Sequence, residues 1–210
     1  MILFKRISYK NFLSTGNQPI EIDLSISQTT LIVGTNGTGK STLLAECKKH
    51  LNNWQFVDEV TRKVAREGHD INTSGNDMTQ LHILKEHLDN HCMTGNVILD
   101  RCILDGYVYT KWLSDQGLVE TWVREFARNM LSFLGNKLDV IFYTCPDEIP
   151  FEDDGVRSTD MQFRNNILDI YNEILTSPVS LPGVNSWRDR IVKLSGSVEE
   201  RMETILKHIK

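Results

Sequence analysis

The chain has 210 residues, enough for one sizeable α/β domain with a small attachment, and its 40% hydrophobic and 24% charged residues are ordinary for a globular protein. A net charge of −5 and a pI of about 5.7 argue against tight non-specific binding of nucleic acid, although a local basic patch stays compatible with them. No apolar run reaches the length of a membrane-crossing helix and the first residues lack the apolar core of a signal peptide, so a cytoplasmic protein with no membrane partner is expected. The cysteines, Cys47, Cys92, Cys102 and Cys145, form no C-x-x-C pair and read as reduced, mostly buried thiols.

Residues 1–28 read as a β-extension, with two strands at about 2–9 and 19–25 pairing antiparallel across a loop of Ser14, Thr15, Gly16 and Asn17. Residues 29–210 read as the main domain. Its first strand, 29–33, runs into Gly34-Thr35-Asn36-Gly37-Thr38-Gly39-Lys40-Ser41, which fits the phosphate-loop pattern G-x-x-x-x-G-K-[ST] without a mismatch. Thr42 follows, and a helix continues to about Leu51, with Leu43, Leu44, Cys47 and Leu51 on its packed face. Strand, glycine-rich loop and helix in that order point backbone N–H groups and a helix N-terminus at an anion. Lys40 then belongs on the β- and γ-phosphates of ATP, and the Ser41 hydroxyl on Mg²⁺.

Beyond the loop, residues 54–60 predict a strand ending in Asp58 and Glu59, followed by Arg62 and Arg66. A helix over 79–92 places Leu81, Leu84, Leu88 and Cys92 on one stripe. Residues 97–100, Val-Ile-Leu-Asp, predict a short buried strand that opens the run Asp100-Arg101-Cys102-Ile103-Leu104-Asp105-Gly106-Tyr107. A helix over 118–134 has Val119, Trp122, Val123, Phe126, Met130 and Leu134 on its apolar side. A strand at 138–144 precedes an acidic loop from Asp147 to Asp160, and a helix at 160–175 turns Phe163, Ile167, Ile170, Tyr171 and Ile174 inward. The last strand is 190–195. Ser197-Val198-Glu199-Glu200 is a capping box that opens the final helix. The fold class expected is therefore α/β, a P-loop NTPase with about five parallel strands flanked by helices and an N-terminal antiparallel strand pair.

Phosphoryl transfer needs ligands for Mg²⁺, cations on the phosphates and a carboxylate beside the attacking hydroxyl. Asp100 closes an apolar strand, where a metal-side carboxylate belongs, and Arg101 is next to it. Glu59 ends a strand and is the candidate base, because open parallel sheets bind ligands at the carboxyl ends of their strands. Arg157 lies in a glycine-containing loop able to act as a lid. The competing reading of each is a salt bridge with a neighbour. Tyr107 and Tyr109 are base-stacking candidates. His87 and His91, at i and i+4 beside Cys92, have zinc-like spacing without an evident fourth ligand.

Two resemblances add to this. The opening "FKRISYKNFLSTGNQPIEIDL…TTLIVGTNGTGKST", about residues 1–44, resembles the N-terminus of SMC-type recombination and repair ATPases. That family's further requirements are missing: only 13 residues follow Ser197 of the signature-like Leu194-Ser195-Gly196-Ser197, with no strand ending Asp-Glu and no coiled-coil heptads. From residue 30 onward, "GTNGTGKST", "FVDEVTRKVAREG", "ILDRCILDGYVY", "EDDGVRS" and "LSGSVEERMETIL" resemble, in order, the kinase-like P-loop domains related to nicotinamide riboside kinases, known in many phage genomes as an AAA domain. That resemblance implies an ATP-dependent kinase fold, with Glu59 and Arg62 near the acceptor, Asp100 and Arg101 near Mg²⁺ and phosphate, and Asp154, Gly155 and Arg157 in a lid-like loop. A phage-encoded chain would work in the host cytoplasm.

The expected function is Mg²⁺-dependent transfer of the ATP γ-phosphate to a small nucleoside- or nucleotide-like acceptor. The catalytic set is Lys40, Glu59, Asp100, Arg101 and Arg157. The alternative is an ATPase or nucleotide-gated module linked to DNA recombination. The oligomeric state is left open.

Overall fold

A computed structural model describes residues 6–9, 20–23, 29–34, 40–144, 160–176 and 188–209. Strands β1 (Arg6–Tyr9) and β2 (Ile20–Asp23) form a separate antiparallel sheet, with Arg6 opposite Asp23 and Tyr9 opposite Ile20. The main sheet is parallel and runs in the order β4-β5-β3-β6-β7. Its strands are β3 (Thr29–Gly34), β4 (Gln55–Val57), β5 (Val97–Asp100), β6 (Val140–Thr144) and β7 (Ile191–Leu194). Burial on both faces explains why β5 and β6 are almost unbroken apolar runs.

Helices α1 (Lys40–His50), α2 (Val60–Arg66), α3 (Asp77–His91), α4 (Ile103–Asp115), α5 (Thr121–Leu134), α6 (Met161–Thr176) and α7 (Val198–His208) fill the connections. One core gathers side chains of β5 and β6 with α3, α4, α5 and α6; a second packs α1 and α7 against Ile98, Phe142 and Leu194. The Ser197–Glu200 capping box is present at α7: Ser197 N–H donates to the Glu200 carboxylate at 2.7 Å and Glu200 N–H to the Ser197 hydroxyl at 3.2 Å.

Several helical expectations need correction. Residues 103–115 form α4, a helix that the sequence pattern does not announce. Ile103, Leu104, Tyr107, Val108 and Leu113 are buried all round it, so it shows no one-sided stripe. Residues 60–66 are also helical, and β4 stops at Val57, so Glu59 is the N-cap of α2 rather than a strand end. On α3 the buried face carries Gln80, Ile83, Leu84, His87 and His91, whereas Leu88 and Cys92 are exposed. On α5 the expected core residues Trp122 and Phe126 are 57% and 44% exposed.

Candidate active site

The register of the sheet sets the site. Ile32 of β3 pairs with Asp100 of β5, so the strand carrying the phosphate-loop sequence and the strand ending in an acid lie side by side. β3 ends at Gly34 and α1 starts at Lys40, with Ser41 second; Thr42 is exposed. Thr35, Asn36, Gly37, Thr38 and Gly39 lie outside the described residues, as do Asp154, Gly155 and Arg157.

A cleft of about 500 Å³ opens between α1, β4, α2 and α3. Leu44, Lys48, Glu59, Arg62, Arg66 and Asp100 are among its walls. This volume suits a small organic ligand.

Glu59 is the hub of the cleft wall. It precedes α2, but its side chain does not cap that helix. One carboxylate oxygen, Oε2, accepts from Arg62 Nε at 3.2 Å; the other, Oε1, lies 3.1 Å from Arg101 Nε. Glu59 and Arg101 are 11% and 6% exposed at the side chain, so this ion pair is largely desolvated. For Glu59 and Arg101 the salt bridge of the competing reading is present, and it joins the two candidates to each other.

Arg101 is held by more than Glu59. It sits at φ 70°, in the left-handed region, at the turn from β5 into α4. A non-glycine residue there costs about 1 kcal/mol or more. The turn lets neighbouring residues serve different spaces. Asp100 lines the cleft, while Arg101 lines a second cavity of about 20 Å³ together with Gln80, His87, Asp105 and Tyr109. Such a space holds about one water. Arg101 Nη1 donates to the Tyr109 hydroxyl at 3.4 Å and lies 4.0 Å from Asp105 Oδ1, and the guanidinium stands 5.7 Å from the Tyr109 ring centre. Burial works against its charge, but Glu59, Tyr109 and Asp105 outweigh that and hold its pKa well above the usual arginine value. Arg101 is a permanent buried cation.

Asp105 is in turn fixed from two sides. Its Oδ2 accepts the Cys102 N–H at 3.0 Å, closing the capping box of α4, and its Oδ1 accepts the Tyr171 hydroxyl at 2.6 Å. Burial and the Asp105 charge push the Tyr171 phenol well above its ordinary range, so it remains a donor. Behind this chain of contacts sit His87 and His91. Burial drives the His87 imidazole down to about 3, with His91 and Arg101 adding to the effect, and burial with the distant Lys137 charge drives His91 to about 4. Both are neutral core histidines, and Cys92 is exposed, so the zinc-like spacing of the three does not assemble a site. Tyr107 is buried in the core; Tyr109 stacks beside Arg101.

The sequence reading missed Asp105 and Tyr171 as supports of Arg101. The signal for Asp105 was the Cys102-x-x-Asp105 spacing, a capping-box pattern hidden by an unusual cysteine cap. Nothing local marks Tyr171, which comes from α6 through the fold.

A parallel sheet whose central strand ends in the phosphate-loop sequence, with an acid closing the adjacent strand, has the architecture of the P-loop fold. The chain belongs to the AAA domain family, whose model matches residues 29–201. Among solved structures it is similar to the deoxyadenosine kinase of M. mycoides with dCMP and a flexible dCDP bound, at TM-score 0.62 and 17% identity over 86% of this chain and 97% of that one. A structure of the same kinase with bound dATP gives 0.55 at 17% identity, again over 86% and 97%. The NadR protein in complex with NR gives 0.58 at 16% identity, over 88% of this chain and 51% of that one. A different match is confined to 39 residues: 54% identity to exonuclease subunit 2 of Escherichia phage RB69 and of Enterobacteria phage T4, covering 19% of this chain and 7% of each relative.

Proposed function

We propose that the chain is an ATP-dependent kinase that phosphorylates a hydroxyl of a small nucleoside- or nucleotide-like acceptor, working as two parts, residues 1–28 as an extension and 29–210 as the catalytic domain. The observation that carries this reading is Glu59: a carboxylate in the wall of a cleft of about 500 Å³, braced by two arginines and sharing that cleft with Asp100. A kinase needs a carboxylate where its acceptor hydroxyl sits, and Glu59 supplies one in a cleft of the right size.

ATP enters as substrate, its phosphates held by residues 34–42 and the Lys40 ammonium. Asp100 is a hard oxygen donor at the end of β5, beside the phosphate-loop strand, which fits Mg²⁺ with Ser41 as the other protein ligand. Bound Mg²⁺ would supply charge neutralisation on the phosphates. Glu59 accepts the proton of the attacking hydroxyl or orients it. Arg62 and Arg101 hold Glu59 by its two carboxylate oxygens and keep it aimed. Arg157 adds positive charge from its loop. The negative net charge and the small cleft favour a small acceptor over nucleic acid, and no described helix is long and apolar enough to cross a membrane.

The short match to phage exonuclease subunits favours a second reading for one stretch of the chain, that of an ATPase module tied to DNA. One experiment separates the two. ADP release is measured with Mg²⁺-ATP against nucleosides, nucleoside monophosphates, nicotinamide riboside and DNA, with Lys40→Ala as blank. Turnover with one small acceptor supports the kinase. Stimulation by DNA alone overturns it.

A further inference from the structure

The C-terminal end of α2 is built with unusual definition for a surface segment. Gly68 N–H donates to Ala65 O at 3.0 Å and His69 N–H to Val64 O at 3.3 Å, the paired bonds of a Schellman motif, with Gly68 at φ 90°. The motif fixes Glu67 and His69 on either side of that glycine. α2 then runs against α3 in the opposite sense. Lys63 meets Glu86 at 2.6 Å, and one turn along both helices Glu67 and His69 meet His82.

There the side chains form a donor cluster. One ligand atom from each of Glu67, His69 and His82 lies within 4.8 Å of the other two. The two imidazole rings are 4.5 Å apart between centres and tilted by 41°. Both histidines are part-buried and Glu67 is exposed. The backbone bonds at the end of α2 hold Glu67 and His69 at this spacing.

We propose that Glu67, His69 and His82 form a three-ligand site for a divalent d-block cation of the Zn²⁺ type, with water in the fourth position, that ties the end of α2 to α3. Two imidazoles and one carboxylate match the donor preference and the open tetrahedral geometry of zinc. The same set is poor for Mg²⁺, which takes oxygen ligands in an octahedron. The site is separate from the cleft, but the helix it anchors carries Arg62 and follows directly from Glu59. Bound metal therefore stiffens a wall of the cleft from its far end. Metal binding here does not depend on the kinase reading.

The test uses the full chain, stripped with EDTA and kept reduced, in a Cys92→Ser background that removes the one exposed thiol among the described residues. ZnCl₂ is titrated against a chromophoric chelator, with Mg²⁺ present in excess. One Zn²⁺ per chain is expected. His69→Ala and His82→Ala should each weaken it about tenfold or more, since even partners behind a ligand are worth that much. Zn²⁺ should also raise the thermal midpoint of the parent protein and leave that of His82→Ala unmoved. If His82→Ala misfolds, His82→Gln replaces it. Unchanged zinc affinity in both histidine variants, displacement by Mg²⁺, or no stoichiometric binding would each overturn the proposal.

Discussion

Glu59 and Arg101 face each other across 3.1 Å, largely shielded from solvent, and Arg62 completes the clamp on the second carboxylate oxygen at 3.2 Å. A carboxylate held this way is aimed before any ligand arrives. Breaking the pair has two consequences that can be measured apart. Glu59→Gln should cut acceptor-dependent turnover by about 10²–10⁴-fold while ATP still binds. It should also lower stability by about 1–3 kcal/mol, because Arg101 stays buried and loses its main counter-charge. Glu59→Asp restores the charge with a shorter reach. It should recover thermal midpoint more than rate, and equal recovery of both would reduce Glu59 to a structural role.

Asp100 makes a different demand. Asp100→Asn removes charge from the end of β5 without changing side-chain size, so the sheet should survive. Turnover should then require at least about tenfold more Mg²⁺. A Mg²⁺ titration of ADP release checks this. An unshifted curve would take the metal away from Asp100.

The Tyr171–Asp105 bond links α6 to α4 behind Arg101. Tyr171→Phe leaves a buried carboxylate oxygen short of its donor and should cost about 1–3 kcal/mol in urea denaturation. Paired with Asp105→Asn in a double-mutant cycle, the two changes should fall short of additivity. Simple addition would show that the bond carries no coupling.

His87 and His91 should add to the protein's sensitivity to acid. Their folded values of about 3 and 4 lie below the ordinary 6.5, so the unfolded chain takes up protons first. Their neutral burial costs nothing above the unfolded value. Stability is lost as pH falls below about 6.5, by up to about 1.4 kcal/mol per pH unit for each histidine, until the folded values are reached. His87→Gln should flatten the acid limb of stability against pH. A limb of unchanged slope would place the acid sensitivity elsewhere.

What the sequence made legible was what physical pattern makes local. β5 is a run of apolar residues stopped by Asp100, and α7 announces itself with Ser197 and Glu200. Both are found where the pattern puts them. α4 was missed because a helix buried on every side, interrupted by Gly106 and rich in aromatic and β-branched residues, has no amphipathic period to detect. α3 was misaligned because its core face is partly polar: Gln80 receives the Thr110 hydroxyl at 2.9 Å, and two neutral histidines fill places a leucine would otherwise mark. The candidate site divides in the same way. Glu59, Asp100 and Arg101 were visible as acids and a base near strand ends. Their mutual arrangement was not, since it depends on α2, on the left-handed turn at Arg101 and on a tyrosine from α6.

The sheet order has a consequence for synthesis. β3 is the middle strand of the parallel sheet, yet it is the earliest of that sheet to leave the ribosome, and its two flanking strands end only at Asp100 and Thr144. Until Asp100 is made the nascent chain carries this strand with both edges open, and until Thr144 with at least one, and long-range parallel pairing is slow to form. Chains halted between those two points can close one edge at most. They are the species from which aggregates should start during expression, and supplying chaperones that shield strand edges should raise the yield of soluble protein more than lowering the temperature of an already folded preparation would.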